Sequence, residues 1–270
     1  MKIFRFYTEN LFLNNTDMIR EIEKEGLTLV SKYRITSADT DINSRLKPSA
    51  LLGFLIQSAI DSADRMGFGF HDLRKQKLFW VLSRLSLEMK TVPLWYDEIE
   101  IETWPRDIEK ILYRRDFLIR QSGNIIGRAT SHWLAIDRDT KKPGKVDLED
   151  EWMFISLRDK QAIVEAPAKL AAMISENTGS IETCFTDFDL NGHVTSTRYL
   201  EWAMNALSAD FHRENIFEKL TINHIRETLP CEHLNTFVSV ENNILDFAAV
   251  HQSSGQLSFR CNCSFRKKQP

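Results

Sequence analysis

Residues 181–203 read "IETCFTDFDLNGHVTSTRYLEWA", and residues 33–55 read "YRITSADTDINSRLKPSALLGFL". Laid over each other without gaps, Asp187 falls on Asp39, Asp189 on Asp41 and Asn191 on Asn43. Val194 falls on Leu46, Leu200 on Leu52 and Trp202 on Phe54. The two segments start 148 residues apart, about half of the 270-residue chain. Self-similarity at that spacing predicts two copies of one structural unit.

Each copy has the same order of parts. A β-rich segment comes first, at 33–36 and 181–185. An Asp/Asn turn follows, because those side chains bond nearby backbone groups and favour turns and helix caps. Apolar residues then recur at three- and four-residue steps, the mark of an amphipathic helix. They are Leu51, Leu52, Leu55, Ile56 and Ala59 in one copy and Tyr199, Leu200, Ala203, Met204 and Leu207 in the other. Strand patterns come next. The first copy offers "LFWVLSRLSLEM", "DEIEIETWP", "ILYRRDFLIRQ" and "IIGRATSHWLAID". The second offers "KLTINHIRETL", "NTFVSVENNIL", "DFAAVHQ" and "QLSFRCNCSF". Several alternate apolar with polar residues, as in a sheet with one buried face. "QSGN" (121–124) and "SSG" (253–255) mark hairpin turns.

The expected fold class is therefore α+β: two tandem hotdog domains, each a long helix packed on an antiparallel β-sheet, forming a pseudo-dimer. The expected division is an N-terminal extension over 1–25, a first domain over 26–150, a connector with some helix over 151–175 and a second domain over 176–270.

Composition narrows the function classes. The chain is 43% hydrophobic and 27% charged, enough for a sizeable core. Its net charge of −3 carries no global footprint for nucleic acid. The N-terminal run "MKIFRFYTENLFLNN" is broken by Arg5, Thr8, Glu9 and Asn10, so it fits neither a signal peptide nor a membrane span. Cys184, Cys231, Cys261 and Cys263 match no zinc spacing and read as reduced thiols. A cytoplasmic protein without stable membrane insertion is expected.

The opening stretch also resembles a calcium loop. Asp187, Asp189, Asn191 and Gly192 occupy positions 1, 3, 5 and 6 of one. Position 12 wants a bidentate Glu and holds Arg198 instead, which argues against the metal. A second reading is that Asp187 and Asp189 only cap the following helix. A third starts from Asp189, Asn191 and His193. In extended chain, residues two apart point the same way, so a carboxylate, an amide and an imidazole converge at a helix start. Free N–H groups there can stabilise an oxyanion. That is an inventory for hydrolysis.

"DFDLNGHVTSTRYLEWAM" resembles the second-half active-site segment of acyl-acyl carrier protein thioesterases, roughly D-x-N-x-H-V-N-N-x-x-Y-x-x-W. "FWVLSRLSLEM" resembles their W-V-L-x-R strand and "IEIETWP" their T-W-P segment, and "LIRQSGNIIGRATSHWLAID" with the "RDTKKP" turn agrees as well. The resemblance covers residues 30–265. It implies a double hotdog that hydrolyses the thioester of a fatty acyl group on carrier-protein phosphopantetheine, with no cofactor and no metal. By position, the family's catalytic residues fall on Asp189, Asn191, His193 and Glu227, the last in "HIRETLP". Thr228 stands where plant members carry Cys, which argues against a cysteine nucleophile and for a carboxylate-activated water. "HVTS" replaces "HVNN". The acyl tunnel is expected in the first half, with Leu52, Phe54, Leu55, Gln57 and Trp80 as its candidate walls. Two alternatives stay open: an acyl-CoA thioesterase on the same scaffold, and a non-catalytic acyl- or carrier-binding module. The expected partner is acyl carrier protein, and a homodimer is compatible with this reading.

The repeat adds an asymmetry. The position of His193 is held by Arg45 in the first half. Placing "KTVP" (90–93) on "ETLP" (227–230) would set Lys90 opposite Glu227. The first half is then expected to have lost its chemistry and kept a scaffold or pocket role. Trp80, Trp104 and Trp133 are expected in core or pocket wall. Residues 101–145 hold 10 Lys/Arg and 6 Asp/Glu, either a solvated face or a docking surface for an acidic carrier. His71, His132, His212, His224, His233 and His251 show no partner pattern and read as structural or surface.

Overall fold

A computed structural model describes residues 26–148, 151–171 and 177–268. The expected extension over 1–25 lies outside the described residues. Ten strands form one antiparallel sheet in the order β1-β3-β4-β5-β2-β7-β10-β9-β8-β6. The first five are β1 (Leu29–Arg34), β2 (Leu78–Met89), β3 (Glu98–Glu109), β4 (Leu112–Gln121) and β5 (Asn124–Asp137). The second five are β6 (Asn177–Glu182), β7 (Asn215–His224), β8 (His233–Glu241), β9 (Ile244–His251) and β10 (Leu257–Lys267). Read outward from the β2–β7 seam, each half has the same strand order. The seam itself pairs Arg84 with Asn223 and Glu88 with Lys219. The expected α+β pseudo-dimer of two tandem helix-on-sheet units is what the chain forms.

The helices differ between the halves. Helix α1 spans Pro48–Arg65, opens with Pro at its first turn and buries Leu51, Leu52, Leu55, Ala59 and Ala63. Proline suits that position because its missing N–H would be unpaired there anyway. Helix α2 (Phe70–Lys75) leads into β2. A short α3 (Trp152–Ile155) follows β5. Helix α4 (Ser196–Asn205) is only 10 residues against 18 for α1, and α5 (Ala209–Glu214) continues it after a break. Leu51, Leu52, Leu55 and Ala59 share one core with Tyr199, Leu200, Ala203 and Leu207 and with strand residues of both halves. At roughly 25 cal/mol per Å² of apolar area removed from water, that shared core is the main force fusing the halves.

The turns follow local chemistry. Ser122 and Gly123 both take positive φ in the β4–β5 hairpin, the geometry whose twist matches that of its strands. Gly255 does so in the β9–β10 turn. The stretch "NTFVSVENNIL" is not one strand: Asn242 and Asn243 take positive φ and end β8 before β9 begins. Asparagine tolerates that conformation better than most residues, so the pair is a turn inside an apolar run.

The connector after α3 crosses the sheet as a strap. Trp104 donates its indole N–H to the Lys160 carbonyl, and Arg106 donates to the Ile163 and Val164 carbonyls. Asp116 accepts the Ala162 N–H at 2.8 Å and faces Arg106 at 3.5 Å. Asn223 exchanges bonds with Leu170 and Ala168 across the seam. Buried polar groups need such partners, so these side chains fix the path of the strap.

Candidate active site

The loops before α1 and α4 fold to one template. Asp189 Oδ1 accepts the backbone N–H of Asn191 at 2.8 Å and of His193 at 3.3 Å. Asp41 Oδ1 accepts those of Asn43 and Arg45 at 2.8 and 3.0 Å. The Asp187 and Asp39 carboxylates bond the N–H groups of Cys184 and Thr36. Gly192 and Ser44 both take positive φ, which costs the serine more. Two carboxylates per loop are thus used to build it. Arg198 Nε lies 2.9 Å from Asp187 Oδ1, so an arginine holds the carboxylate that a calcium ion would need.

What the loop presents is His193. Its Nε2 lies 3.0 Å from Glu227 Oε2, with the histidine side chain 19% and the glutamate 37% exposed. Glu227 Oε1 is 3.9 Å from Lys141 Nζ. The Phe79 ring lies 6.3 Å from the imidazole, and Lys141 sits over that ring. A bond from His193 Nε2–H to the carboxylate would fix the tautomer with Nδ1 unprotonated. Glu227 comes from the loop after β7. That loop is pinned where the Val194 N–H donates to the Thr228 carbonyl at 3.0 Å. Thr228 is fully buried and its hydroxyl bonds Ser258, so this position supports the loop from behind and is not part of the cavity wall.

His193 and Glu227 stand in the wall of a cavity of about 540 Å³. Asp189, Asn191, Ser196 and Tyr199 line it from the second half, and Ile56, Ile60, Ala63, Phe79, Trp80 and Trp133 from the first. A smaller chamber at Ile60, Ala63, Trp80 and Trp133 continues toward Phe68, Tyr113 and Phe154. Site and apolar chamber therefore come from opposite halves. The Ser196 N–H, at the first position of α4, has no backbone acceptor among the described residues, as expected at a helix start.

Of the residues expected along the acyl tunnel, only Trp80 lines this cavity. Leu52 and Leu55 are fully buried in the core against the sheet. Phe54 stacks on Tyr33 at 4.4 Å, and Gln57 is exposed and bonds Asp61. The helical period explains the shift: positions 52, 55 and 59 face the sheet, which leaves 56, 60 and 63 to face the cavity.

The expected match of Lys90 with Glu227 is wrong. Lys90 and Thr91 N–H donate to one carbonyl, Ile126, as Ile225 and Arg226 do to Ser258. Leu46 N–H donates to Pro93 where Val194 donates to Thr228. Tyr96 and Cys231 both take positive φ at the next bend. These pairings put Val92 opposite Glu227. The short P-containing motif slipped by two residues because loop backbone geometry, which sets the true register, leaves little trace in side-chain type. Arg45 does stand opposite His193. Its Nη1 donates to the His212 and Asn215 carbonyls at 3.3 and 2.8 Å, closing the end of α5.

His224 was not anticipated at the site. It lines the cavity, packs on Tyr199 and Phe259, and its Nε2 has no hydrogen-bond partner among the described residues. Burial lowers its pKa to about 4, which keeps the ring neutral. Only its place one step before the Glu227 loop could have suggested it. Within 101–145, Arg106 faces Asp116, Arg114 pairs with Asp107 and Glu109, and Arg120 with Glu102, while Lys110, Arg138, Lys141, Lys142 and Lys145 are exposed.

Comparison with known proteins finds relatives over both halves of the chain. The model of the acyl-ACP thioesterase N-terminal domain matches residues 26–153, and that of the acyl-ACP thioesterase C-terminal domain matches 172–267. An oleoyl-acyl carrier protein thioesterase, chloroplastic, of Coriandrum sativum is 26% identical over 78% of this chain and 62% of its own length. A palmitoyl-acyl carrier protein thioesterase, chloroplastic, of Gossypium hirsutum is 26% identical over 77% of this chain and 54% of its own. The chain thus spans about three fifths or less of these plant relatives. An acyl-ACP thioesterase structure from Bacteroides thetaiotaomicron superposes with a TM-score of 0.83 at 23% identity, covering 90% of this chain and 99% of that one. The 12:0-ACP thioesterase of Umbellularia californica gives 0.78 at 21%, covering 90% and 98%.

Proposed function

We propose, because the chain belongs to the acyl-ACP thioesterase family, that it hydrolyses the thioester of a fatty acyl-acyl carrier protein to free fatty acid and holo-carrier protein. The observation that carries this is the His193–Glu227 pair at 3.0 Å in the wall of a 540 Å³ cavity with an apolar far end. The division of labour is a catalytic second half (176–270) and a first half (26–150) that supplies the acyl chamber, with 151–175 tying the two.

Glu227 takes a proton from water through Oε1 while His193 holds Oε2. The hydroxide attacks the thioester carbon, and the negative charge moves to the carbonyl oxygen. The Asn191 amide and the Ser196 N–H are the donors for that oxygen. Collapse breaks the carbon–sulfur bond, and the proton held by Glu227 passes to the leaving sulfur. Each positioned acid–base group of this kind is worth about 10²–10⁴ in rate. Asp189 acts on the other side of the chain: its bonds to the Asn191 and His193 N–H groups set where both side chains point. No metal or cofactor takes part in this reading.

The acyl chain lies toward Ile60, Ala63, Trp80 and Trp133. Arg138, Lys141 and Lys142 are exposed beside the mouth and fit the acidic surface and phosphate of a carrier protein. The four cysteines are free thiols, which supports a reducing compartment such as the cytoplasm, although the plant relatives are chloroplastic. Among the described residues no helix is long and apolar enough to cross a membrane.

Thiol release from one acyl group presented on carrier protein and on CoA tests the reading. Faster release from the carrier supports it. Faster release from CoA would replace it with the acyl-CoA alternative, and tight binding without release would make the chain a binding module.

A further inference from the structure

The first-half loop opens on a cavity of its own, about 560 Å³ against 540 Å³ for the catalytic one. Its parts are swapped in the same way. Asp41, Arg45 and Lys47 come from the first half, Met204 from the second-half helix α4, Leu207 from the break after it, and Phe217 and Phe265 from the second-half sheet. Met204 stands where Ile56 stands in the catalytic cavity.

The replacements at matching positions all change the chemistry in one direction. The pair His193 and Glu227 has become Arg45 and Val92, and His212, also in the wall, has its Nε2 on the Met204 carbonyl at 3.0 Å. Thr195 has become Lys47. One carboxylate is gone and two cations have arrived. Asp41 is spent on its own loop, and Glu201, also in the wall, is paired with Arg198. The Lys47 ammonium has no hydrogen-bond or ion-pair partner among the described residues. Arg45 spends Nη1 on two carbonyls, and the rest of its guanidinium is without a partner there.

The end of the 18-residue helix α1 faces the same space. Pro48 removes one donor, but the Ser49 N–H has no backbone acceptor. Ser49 is 3% exposed, lines the cavity, and its hydroxyl bonds none of the described residues. This enclosed side chain opens only on the cavity and has no protein partner there, so its hydroxyl is placed to bond whatever fills that cavity. A positive helix end and two cations select a negative charge. Met204, Leu207, Phe217 and Phe265 form an apolar floor beside them.

We infer that this cavity is a second, non-hydrolytic ligand site that takes a free fatty acid, its carboxylate on Lys47, Arg45 and Ser49 and its chain on the apolar floor. A neutral thioester has no use for two cations, and a bare phosphate has none for the floor. The site lacks the histidine–glutamate pair and sets cations beside a helix start, so it holds a product-like ligand without turning one over. Binding is read without turnover, so the inference stands or falls separately from the hydrolysis proposed above.

The test is calorimetric titration of dodecanoate into the full-length chain. Two sites per chain are expected. Met204→Trp, which fills the floor at a half-buried position, removes one of them, and Ala63→Trp, in the catalytic chamber, removes the other. Lys47→Gln weakens the site lost in Met204→Trp by about tenfold, the loss of one favourable charge contact of about 1.4 kcal/mol. Neither Met204→Trp nor Lys47→Gln changes kcat/KM on acyl-carrier protein by more than about twofold. Dodecanol, which has no charge, binds only the catalytic chamber. The inference is overturned by one site in the unaltered chain, or by two sites that survive both Met204→Trp and Lys47→Gln. If Met204→Trp does not fold, Lys47→Gln decides alone, since its side chain is partly in solvent and outside the core.

Discussion

The loops at 187–195 and 39–47 share their backbone bonds almost one for one. They differ in what stands on that backbone. One presents His193 toward Glu227; the other presents Arg45 toward two carbonyls of α5, with Val92 where the carboxylate would be. Loop-building residues are therefore separable from chemistry-bearing ones. Asp and Asn occur in both loops because the turn needs them. Histidine and glutamate occur in one, the half to which the proposed hydrolysis is assigned.

The largest effect should come from the residues that differ. Glu227→Ala and His193→Ala should each lower kcat on acyl-carrier protein by about 10²–10⁴ with little change in melting temperature, whereas Val92→Ala should leave kcat within about twofold. Steady-state kinetics with thermal melts checks this. A Val92→Ala effect as large as that of Glu227→Ala would end the distinction between the halves.

Acid stability comes next. Burial holds His132 in the first half and His224 in the second at pKa values of about 4. Below about pH 6.5 the unfolded chain binds protons that these folded rings refuse, so stability should fall as pH drops from 6.5 toward 4. The loss should be roughly 1–3 kcal/mol for each ring. His132→Asn and His224→Asn should each flatten the curve over that window in urea melts taken from pH 7 to 4. Added dodecanoate should change the His224 share but not the His132 share, since only His224 lines the catalytic cavity.

The shared aspartates should behave alike in stability and differently in activity. Asp41→Ala and Asp189→Ala should each cost about 1–2 kcal/mol, as loop N–H groups lose their acceptor. Only Asp189→Ala should also lower kcat beyond what that instability explains. Denaturant midpoints and kcat measured on the same two proteins decide it.

Smaller still is the effect on chain length. Ala63→Phe should move the preferred acyl chain shorter by filling the first-half chamber, and Met204→Phe should leave the chain-length profile unchanged. A profile over acyl-carrier proteins of graded length reads both. No effect at all is expected from R45H with V92E in a His193→Ala background. Pro48 has no N–H where Ser196 has one, and Lys47 remains in the wall. Recovered hydrolysis there would mean that the first half lost only two side chains.

Some of this was legible in the chain alone. The repeat is visible because apolar spacing and Asp/Asn turns are written in side-chain type. Asp189, Asn191 and His193 could be grouped because they are neighbours in sequence. Glu227 came only with a family resemblance, since 34 residues separate it from His193. The chamber residues were misplaced for a different reason. Leu52, Leu55, Ile56 and Ile60 are all apolar helix residues, and hydropathy does not say which apolar face meets the sheet and which meets a void.

The sequence by itself determined that there are two units, that each is a helix on a sheet, and that only one loop bears a histidine. Periodicity and local turn chemistry are short-range properties, so they survive in a linear string. The tertiary structure alone decided that each cavity is built from the loop of one half and the helix of the other, and that Val92 is the true counterpart of Glu227. Those facts depend on how two packed halves face each other across β2 and β7, where long-range backbone bonds set the register and the side chains do not record it.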